Sequence, residues 1–265
     1  MKTFYSQMLE DLFVYRNFIN NNDVNGIFLE VGAVDGIICS NTLFFEKELG
    51  FSGIMIEPTK EQYDRLVVNR PKCFNVNSCI SDSNKKVTMI ISEKQPLVNS
   101  VSHSVSDNNY KQFNYTSSMS VSTTTISEIT NKYMSPYIDF MSIDVEGHEL
   151  ELLNSIDWNI EIYLICIELD EHNKDKDQKC RNILLEKGFV FRHRLIINEF
   201  WENPNYFRKD KIFSKQKKDN NIFSKKLEDY GNFNFYENLL HNSCKTILLD
   251  QIYEYEKTHS DGSSS

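Results

Sequence analysis

Four predominantly apolar runs in this chain close on an acid and pass at once into turn residues: Ile27-Phe-Leu-Glu30, Gly53-Ile-Met-Ile-Glu57, Tyr137-Ile-Asp-Phe-Met-Ser-Ile-Asp144 and Ile162-Tyr-Leu-Ile-Cys-Ile-Glu168. Short apolar runs bounded by turn signals predict buried strands. The last is apolar enough for a central parallel strand covered on both faces. Helical stretches lie around them: Thr42 to Leu49, Tyr63 to Asn69 ended by Pro71, Glu149 to Ser155, and Cys180 to Lys187 closed by Gly188. Near the start, Phe4, Met8, Leu12 and Phe18, with Tyr5, Leu9 and Phe13 beside them, repeat at helical spacing and predict an amphipathic helix with a core-facing side. Cys73 to Cys79 and Val87 to Ile91 read as short strands, and Phe189 to Ile197 with Asn198 to Trp201 as a closing strand pair. Strands alternating with helices predict an α/β fold. From Ser92 to Ser122 no period is sustained, which predicts a long functional loop over the site, with Asn99, Ser102, His103 and Tyr110 as contacts.

Two glycines follow the first strand directly, in Ile27-Phe-Leu-Glu-Val-Gly-Ala-Val-Asp-Gly36. Gly32 and Gly36 accept positive φ and carry no Cβ, so the backbone there is expected to approach a ligand closely. Glu30 puts a carboxylate at the strand end. Glu57 follows the glycines by roughly 20 residues, the place of a ribose-binding acid in dinucleotide folds. The nicotinamide fingerprint is G-x-G-x-x-G with a pyrophosphate on a helix N-terminus. Here the spacing is G-x-x-x-G and an acid stands two residues before the first glycine. That acid repels a pyrophosphate and favours a cation. S-adenosylmethionine, with an ammonium, a sulfonium and no phosphate, is the cofactor this turn suits.

Asp144 and Glu168 are expected to end neighbouring strands, at the edge where open α/β sheets bind ligands. Two acids converging there either hold a hard divalent cation such as magnesium through oxygen or bind and deprotonate an acceptor hydroxyl. His148 follows Asp144 by one helical turn and titrates near neutrality, which makes it a candidate general base. The same Asp-x-Glu-Gly-x-Glu segment also serves as an acidic helix start, whatever the protein does, and Glu146 belongs to it. His172, in the polar stretch Asp170 to Lys179, is read as solvent-exposed or as a metal partner of Glu168.

Taken together, Phe28-Leu-Glu-Val-Gly-Ala-Val-Asp-Gly36, Ser40-Asn-Thr-Leu43, Gly53-Ile-Met-Ile-Glu-Pro58 and Ile143-Asp-Val-Glu-Gly-His-Glu149 resemble the FkbM-type S-adenosylmethionine-dependent methyltransferases. The likeness runs from about Ser6 to Phe207. It implies a doubly wound, mostly parallel, seven-stranded Rossmann-like sheet that ends in an antiparallel hairpin, in a domain spanning 1–207. A small C-terminal helical extension over 208–257 and a disordered tail over 258–265 complete the expected organisation. The resemblance implies O-methylation of a hydroxyl on a sugar, glycan or glycoconjugate. It assigns Glu30, Gly32, Ala33, Asp35, Gly36 and Glu57 to the cofactor, with Asp82 near the adenine. Asp144, His148 and Glu168 go to catalysis, Asp144 and Glu168 doubling as metal ligands if a cation takes part. Gln7 and Asp11 match a Gln and an acid that the family places near the active site. Val34 stands where many methyltransferases have a third glycine. Asp82 also reads as an ordinary turn residue before Ser83-Asn84.

With 29 basic against 38 acidic residues, a formal charge of −9 argues against a nucleic-acid footprint. The basic stretch Arg208 to Lys226 is interrupted by Asp210, Asp219, Phe213 and Phe223 and reads as a solvated surface. Six cysteines without a C-x-x-C pair suit a reducing compartment, and no apolar stretch approaches the ~20 residues of a membrane span. A cytoplasmic protein is expected, and the bias to Asn, Lys and Ile with Ala33 the one alanine suits an AT-rich genome, viral or protozoan. Ile212-Phe-Ser-Lys215 recurs as Ile222-Phe-Ser-Lys225, too few copies for a repeat architecture, and the extension offers a surface for self-association. Two other readings stay open: a methyltransferase-like module that binds or traffics without turnover, and a small-molecule dehydrogenase, which the missing G-x-G-x-x-G disfavours.

Overall fold

All four acid-terminated runs become strands of one sheet. The computed structural model describes residues 2–21, 25–92, 96–105, 114–133, 135–213, 232–233 and 242–259. In chain order its elements are β1 (Thr3–Phe4), α1 (Glu10–Asn17), β2 (Ile27–Val31), α2 (Leu43–Leu49), β3 (Ser52–Ile56), α3 (Lys60–Asn69), β4 (Phe74–Val76), β5 (Cys79–Ile80), β6 (Lys86–Ile91), β7 (Ser100–Val101) and β8 (Ser117–Thr124). There follow α4 (Ile126–Lys132), β9 (Tyr137–Ile143), α5 (Glu149–Asn154), β10 (Glu161–Glu168), α6 (Lys174–Glu186), β11 (Val190–Leu195), β12 (Asn198–Glu202), α7 (Lys209–Ile212), β13 (Asn232–Phe233) and α8 (Asn242–Thr258).

Seven strands form the central sheet in the order β11-β12-β10-β9-β2-β3-β4. From β10 to β4 all neighbours are parallel, whereas β12 runs antiparallel to both β10 and β11. The sheet is therefore mostly parallel and of mixed orientation. Alternation along each strand supplies two cores. Phe28 and Phe140 face a layer that includes Phe13 of α1, Phe44 and Phe45 of α2, Leu66 of α3 and Leu248, Ile252 and Tyr255 of α8. Leu29, Val31 and Met141 face Ile126 and Ile129 of α4, Leu152 and Leu153 of α5, and Cys180 and Leu184 of α6. The chain turns outward from β2 through β3 to β4 and then crosses to β9 on the other side. This makes the β2/β9 boundary the topological switch point.

A second, four-stranded sheet, in the order β5-β8-β6-β7, fills the interval between β4 and α4 over its own small core of Cys79, Val87, Met89, Val101 and Val121. The expected long loop from Ser92 to Ser122 is thus corrected in part, because β7 and β8 fall inside it. β8 pairs with β6 from Lys86↔Ser122 to Ile91↔Ser117, with a Ser/Thr-rich face turned to solvent. Tyr110 lies outside the described residues, as do most of Arg208 to Lys226 and the tail 260–265. The run Cys73 to Cys79 splits between the two sheets.

The N-terminal helix starts later than its spacing predicts. Asp11 Oδ2 accepts hydrogen bonds from the Tyr5 and Ser6 amides at 2.6 and 3.2 Å, and Oδ1 accepts from Ser6 Oγ at 2.6 Å. These bonds hold residues 5 and 6 outside the helix, ahead of a turn at residues 7 and 8, so that Phe4 sits in β1 and α1 begins at Glu10. Across the molecule β1 pairs in parallel with β13. The C-terminal segment is therefore not purely helical. Its α8 covers α1 and β11: Tyr255 meets the rings of Phe13 and His193 at 5.0 Å each, and Arg16 forms a two-pronged pair with Glu256 at 2.5 and 2.8 Å. Truncating this buried ring, Tyr255→Ala, should cost roughly 3 kcal/mol, the usual range for losing an aromatic from a core. Urea unfolding should show a lower midpoint at unchanged slope; an unchanged midpoint would mean that α8 does not cover the core.

Candidate active site

The turn after β2 is built against two neighbouring strands. The Gly32 and Ala33 amides donate to Ile56 O at 3.1 and 3.0 Å, and the Asp144 amide donates to Val31 O at 3.1 Å. A Cβ on Gly32 would lie 1.8 Å from the Asp144 carbonyl oxygen, and one on Gly36 would lie 2.6 Å from both Arg70 Cγ and Leu66 Cδ1. The protein's own backbone at Asp144 and the side chains of Leu66 and Arg70 thus already require these glycines. Val34 adopts φ 48°, the left-handed region that a third glycine would take without cost. Asp35 Oδ1 accepts from the Ile37 and Ile38 amides at 2.9 and 2.8 Å and shapes the turn's exit.

Beneath the turn lies a group that the sequence did not announce. Arg70, fully buried at the end of α3, donates through Nη1 to Gly36 O at 2.9 Å and to Ser40 Oγ at 3.2 Å, through Nη2 to Thr42 Oγ1 at 3.3 Å, and pairs with Glu46. Glu30 completes the network, its Oε2 accepting from Ser40 Oγ at 2.9 Å and Thr42 Oγ1 at 2.5 Å and its Oε1 from the Asn41 amide at 2.8 Å. Burial pushes the Glu30 carboxyl up, with Arg70 opposing. Asn41 Nδ2 reaches Ser142 Oγ in β9 at 2.9 Å. The Ser40-Asn-Thr42 motif is accordingly the lining around Glu30.

Glu57 ends β3 next to the glycine turn. Its Oε2 accepts from the Val34 amide at 3.0 Å and its Oε1 from Thr59 N and Oγ1 at 2.8 and 2.6 Å, while burial pushes it up to about 7. Asp82 lies in an exposed turn and pairs with Lys85 at 2.8 Å, which holds its carboxyl below the usual range. Asp11 and Glu10 are buried and raised by that burial to about 6 and 7; Glu10 accepts from Asn198 Nδ2 at 2.7 Å.

The acids of the second centre do converge. Donor oxygens of Asp144, Glu146 and Glu168 all lie within 4.8 Å of one another. Burial raises all three, Glu168 and Glu146 well above the carboxylate range, while the interaction between Asp144 and Glu168 opposes the rise at Asp144 and adds to it at Glu168. Glu146 reaches the trio through a left-handed φ of 51°, followed by Gly147 at 98°. Sequence reasoning gave Glu146 no partner.

His148 does not join them. Its ring is buried, with Nδ1 2.9 Å from Ser104 Oγ and 3.5 Å from Glu151, and Nε2 3.3 Å from Ser81 Oγ. Burial lowers it to about 4, so it is neutral at pH 7. Among the loop candidates, Asn99 Oδ1 accepts from the Ser92 amide at 2.9 Å, Ser102 is exposed, and His103 stands 5.3 Å from the His148 ring. His172 pairs with Asp170. A cavity of about 390 Å³ opens beside the acid trio, lined among the described residues by His103, Ser104, Glu146, Asp170, His172 and Lys176. Val34, Cys39, Glu146 and Glu171, four of the non-glycine residues with positive φ, follow β2, β9 and β10. Backbone strain of this kind concentrates at functional edges.

A mostly parallel α/β sheet whose convergent carboxylates and strained turns sit at its switch point has the arrangement of a ligand-binding α/β enzyme. Residues 30–191 match the methyltransferase FkbM domain, and the chain belongs to that family. No curated protein matches it in sequence. Among solved structures it is similar to the precorrin-6y C5,15-methyltransferase of Geobacter metallireducens (TM-score 0.40, 10% identity, 69% of this chain and 71% of that one). It is also similar to the M. capricolum TrmK, solved with S-adenosyl-homocysteine (0.39, 8%, 75% and 68%), and to a human methyltransferase 10 domain containing protein (0.42, 10%, 74% and 81%). These likenesses are too distant to carry a residue role across.

Two outcomes follow from the turn and its acid. Val34→Gly releases a left-handed strain of roughly 1–2 kcal/mol against roughly 0.5–1 kcal/mol of added chain entropy. Thermal unfolding should show a net gain of up to about 1 kcal/mol, and a lowered midpoint would contradict the strain. Glu57, raised to about 7 from an ordinary 4.5, stabilises the fold fully below pH 4.5 and loses that contribution as pH rises through 7. Glu57→Gln should therefore flatten the fall in stability between pH 5 and 8 by at most about 3 kcal/mol. Denaturant titrations across that range giving identical profiles for both proteins would refute the assignment.

Proposed function

We propose that this chain transfers a methyl group from S-adenosylmethionine to a hydroxyl oxygen, the acceptor being a sugar, glycan or glycoconjugate. The observation that carries the reading is the convergence of the Asp144, Glu146 and Glu168 carboxyls beside a polar cavity at the switch point. The donor set fits the cofactor chemically: the residues around the turn are Glu30, Asp35, Glu57 and Asp144, and the nearby cation, Arg70, is already consumed beneath it. Such a rim attracts a sulfonium and repels a pyrophosphate. When bound, S-adenosylmethionine supplies a methyl group on a positively charged sulfur.

The chain's own tasks are to orient the acceptor and to take its proton. Glu57, fixed by Val34 and Thr59, keeps lone pairs for a ribose hydroxyl, and the turn from Gly32 to Gly36, with Ala33 and Asp35, forms the cofactor's bed. Asp144, whose rise Glu168 opposes, accepts the acceptor's proton, while Glu168 holds Asp144 in place. A cavity walled by imidazole, hydroxyl, carboxylate and ammonium groups suits a polyhydroxylated acceptor. His148, turned toward Ser81 and Ser104, takes no proton in this reading. Residues 1–207 form the catalytic unit, and α8 packs over α1 and β11.

The test is calorimetric titration with S-adenosylhomocysteine alongside single-turnover assays on unmethylated sugars. Wild-type chain should bind saturably, and Asp144→Asn should keep that affinity within a few-fold while turnover falls at least about 10²-fold, the scale of a lost general base. Binding without turnover on any hydroxyl acceptor would favour the module that binds without catalysis, and an active Asp144→Asn would remove Asp144 from the reaction.

A further inference from the structure

A second group of metal-type donors, separate from the acid trio, closes around His148. One donor atom from each of His103, His148 and Glu151 lies within 4.8 Å of the other two. They come from three segments: the turn after β7, the residue that precedes α5, and α5 itself. The first is pinned to the second. Ser100 Oγ donates to Glu146 O at 2.5 Å, Ser104 Oγ lies 2.9 Å from His148 Nδ1, and a Cβ on Gly147 would stand 2.5 Å from Ser104 O, so the two backbones touch. Within its own sheet, that turn is fixed by Ser102 N to Thr88 O and Ser104 N to Val101 O, both 2.8 Å.

The buried ring is oriented as a ligating imidazole must be. Glu151 approaches Nδ1 at 3.5 Å, the nitrogen that Ser104 Oγ meets at 2.9 Å and would yield to an ion, and Ser81 Oγ occupies the opposite nitrogen at 3.3 Å, the kind of partner that fixes ring orientation in metal sites. Two imidazoles and one carboxylate are the three-ligand set of an open tetrahedral zinc site, whereas magnesium and calcium take oxygen. Bringing the donors to the roughly 3.4 Å separation set by ~2.1 Å bonds needs a modest contraction. His103 is exposed and free to supply it.

We infer that His103, His148 and Glu151 bind one zinc-class transition-metal ion that clasps the β5–β8 sheet to the β9–α5 loop. Because His103, Ser104, Glu146 and Gly147 also line the cavity, the ion fixes one wall of it. The inference does not depend on the acceptor or on methyl transfer.

The experiment uses the whole chain, stripped with a chelator and titrated with cobalt(II), then zinc(II), with magnesium in parallel. One equivalent of cobalt should bind with the visible ligand-field bands of a tetrahedral imidazole site, zinc should displace it, and the thermal midpoint should rise. His103→Ala and Glu151→Gln, both at partly exposed positions, should each weaken binding at least about tenfold, while Asp144→Asn leaves it unchanged. Absence of saturable binding overturns the inference. So does binding that Asp144→Asn weakens and His103→Ala does not, which would put the ion on the acid trio.

Discussion

Everything on the cofactor side of the sheet rests on one buried cation. A guanidinium taken out of water is costly unless its donors are satisfied and its charge is met. Arg70 achieves both by reaching a backbone carbonyl, two hydroxyls and Glu46, with Glu30 opposing its charge from the far side of the same hydroxyls. Satisfying this one group fixes the glycine turn from below, the Ser40–Thr42 segment from the side and the start of α2 above it. The Gly32–Asp144 contact then carries the same constraint across to β9, so the two halves of the sheet edge cannot be placed independently.

On the other half the currency is negative charge. Three carboxyl groups gathered at a half-buried edge resist ionising together, and burial with mutual repulsion drives Glu146 and Glu168 furthest above the carboxylate range. His148, only four residues beyond Asp144, belongs to a different neighbourhood because Glu146 and Gly147 turn the chain through left-handed conformations between them. Sequence proximity and spatial proximity part company at that turn.

The strands that form the sheet were legible because each is a run of apolar residues with an acid as its full stop, and the acids' convergence followed from strand order. The family motifs likewise pointed to the family whose domain residues 30–191 match. Less was legible where long-range satisfaction decides the outcome. Arg70 looks like any basic residue at a helix end, since its partners lie 24 to 34 residues away. β8 reads Ser-Ser-Met-Ser-Val-Ser-Thr-Thr, in which two inward positions, Val121 and Thr123, are too weak a pattern to announce a strand. Phe4 and Tyr5 mimic helical spacing, but Phe4 lies in β1 and the Asp11 carboxylate holds the Tyr5 and Ser6 amides outside the helix. The separation of His148 from the acids hinges on backbone dihedrals that no residue pattern encodes.

The clasp between α1 and α8 bears on how the chain reaches this state. Arg16 meets Glu256 240 positions further along, and Phe13, packed also on Phe18, His193 and Phe200, gains the Tyr255 ring only when that residue has been made. Contacts of such sequence separation form late, because the loop must close before they reward it. On the ribosome the side of the first helix that α8 covers would therefore wait until residues 242–258 had emerged. This is the interval in which a nascent chain is most exposed to aggregation and most dependent on a chaperone.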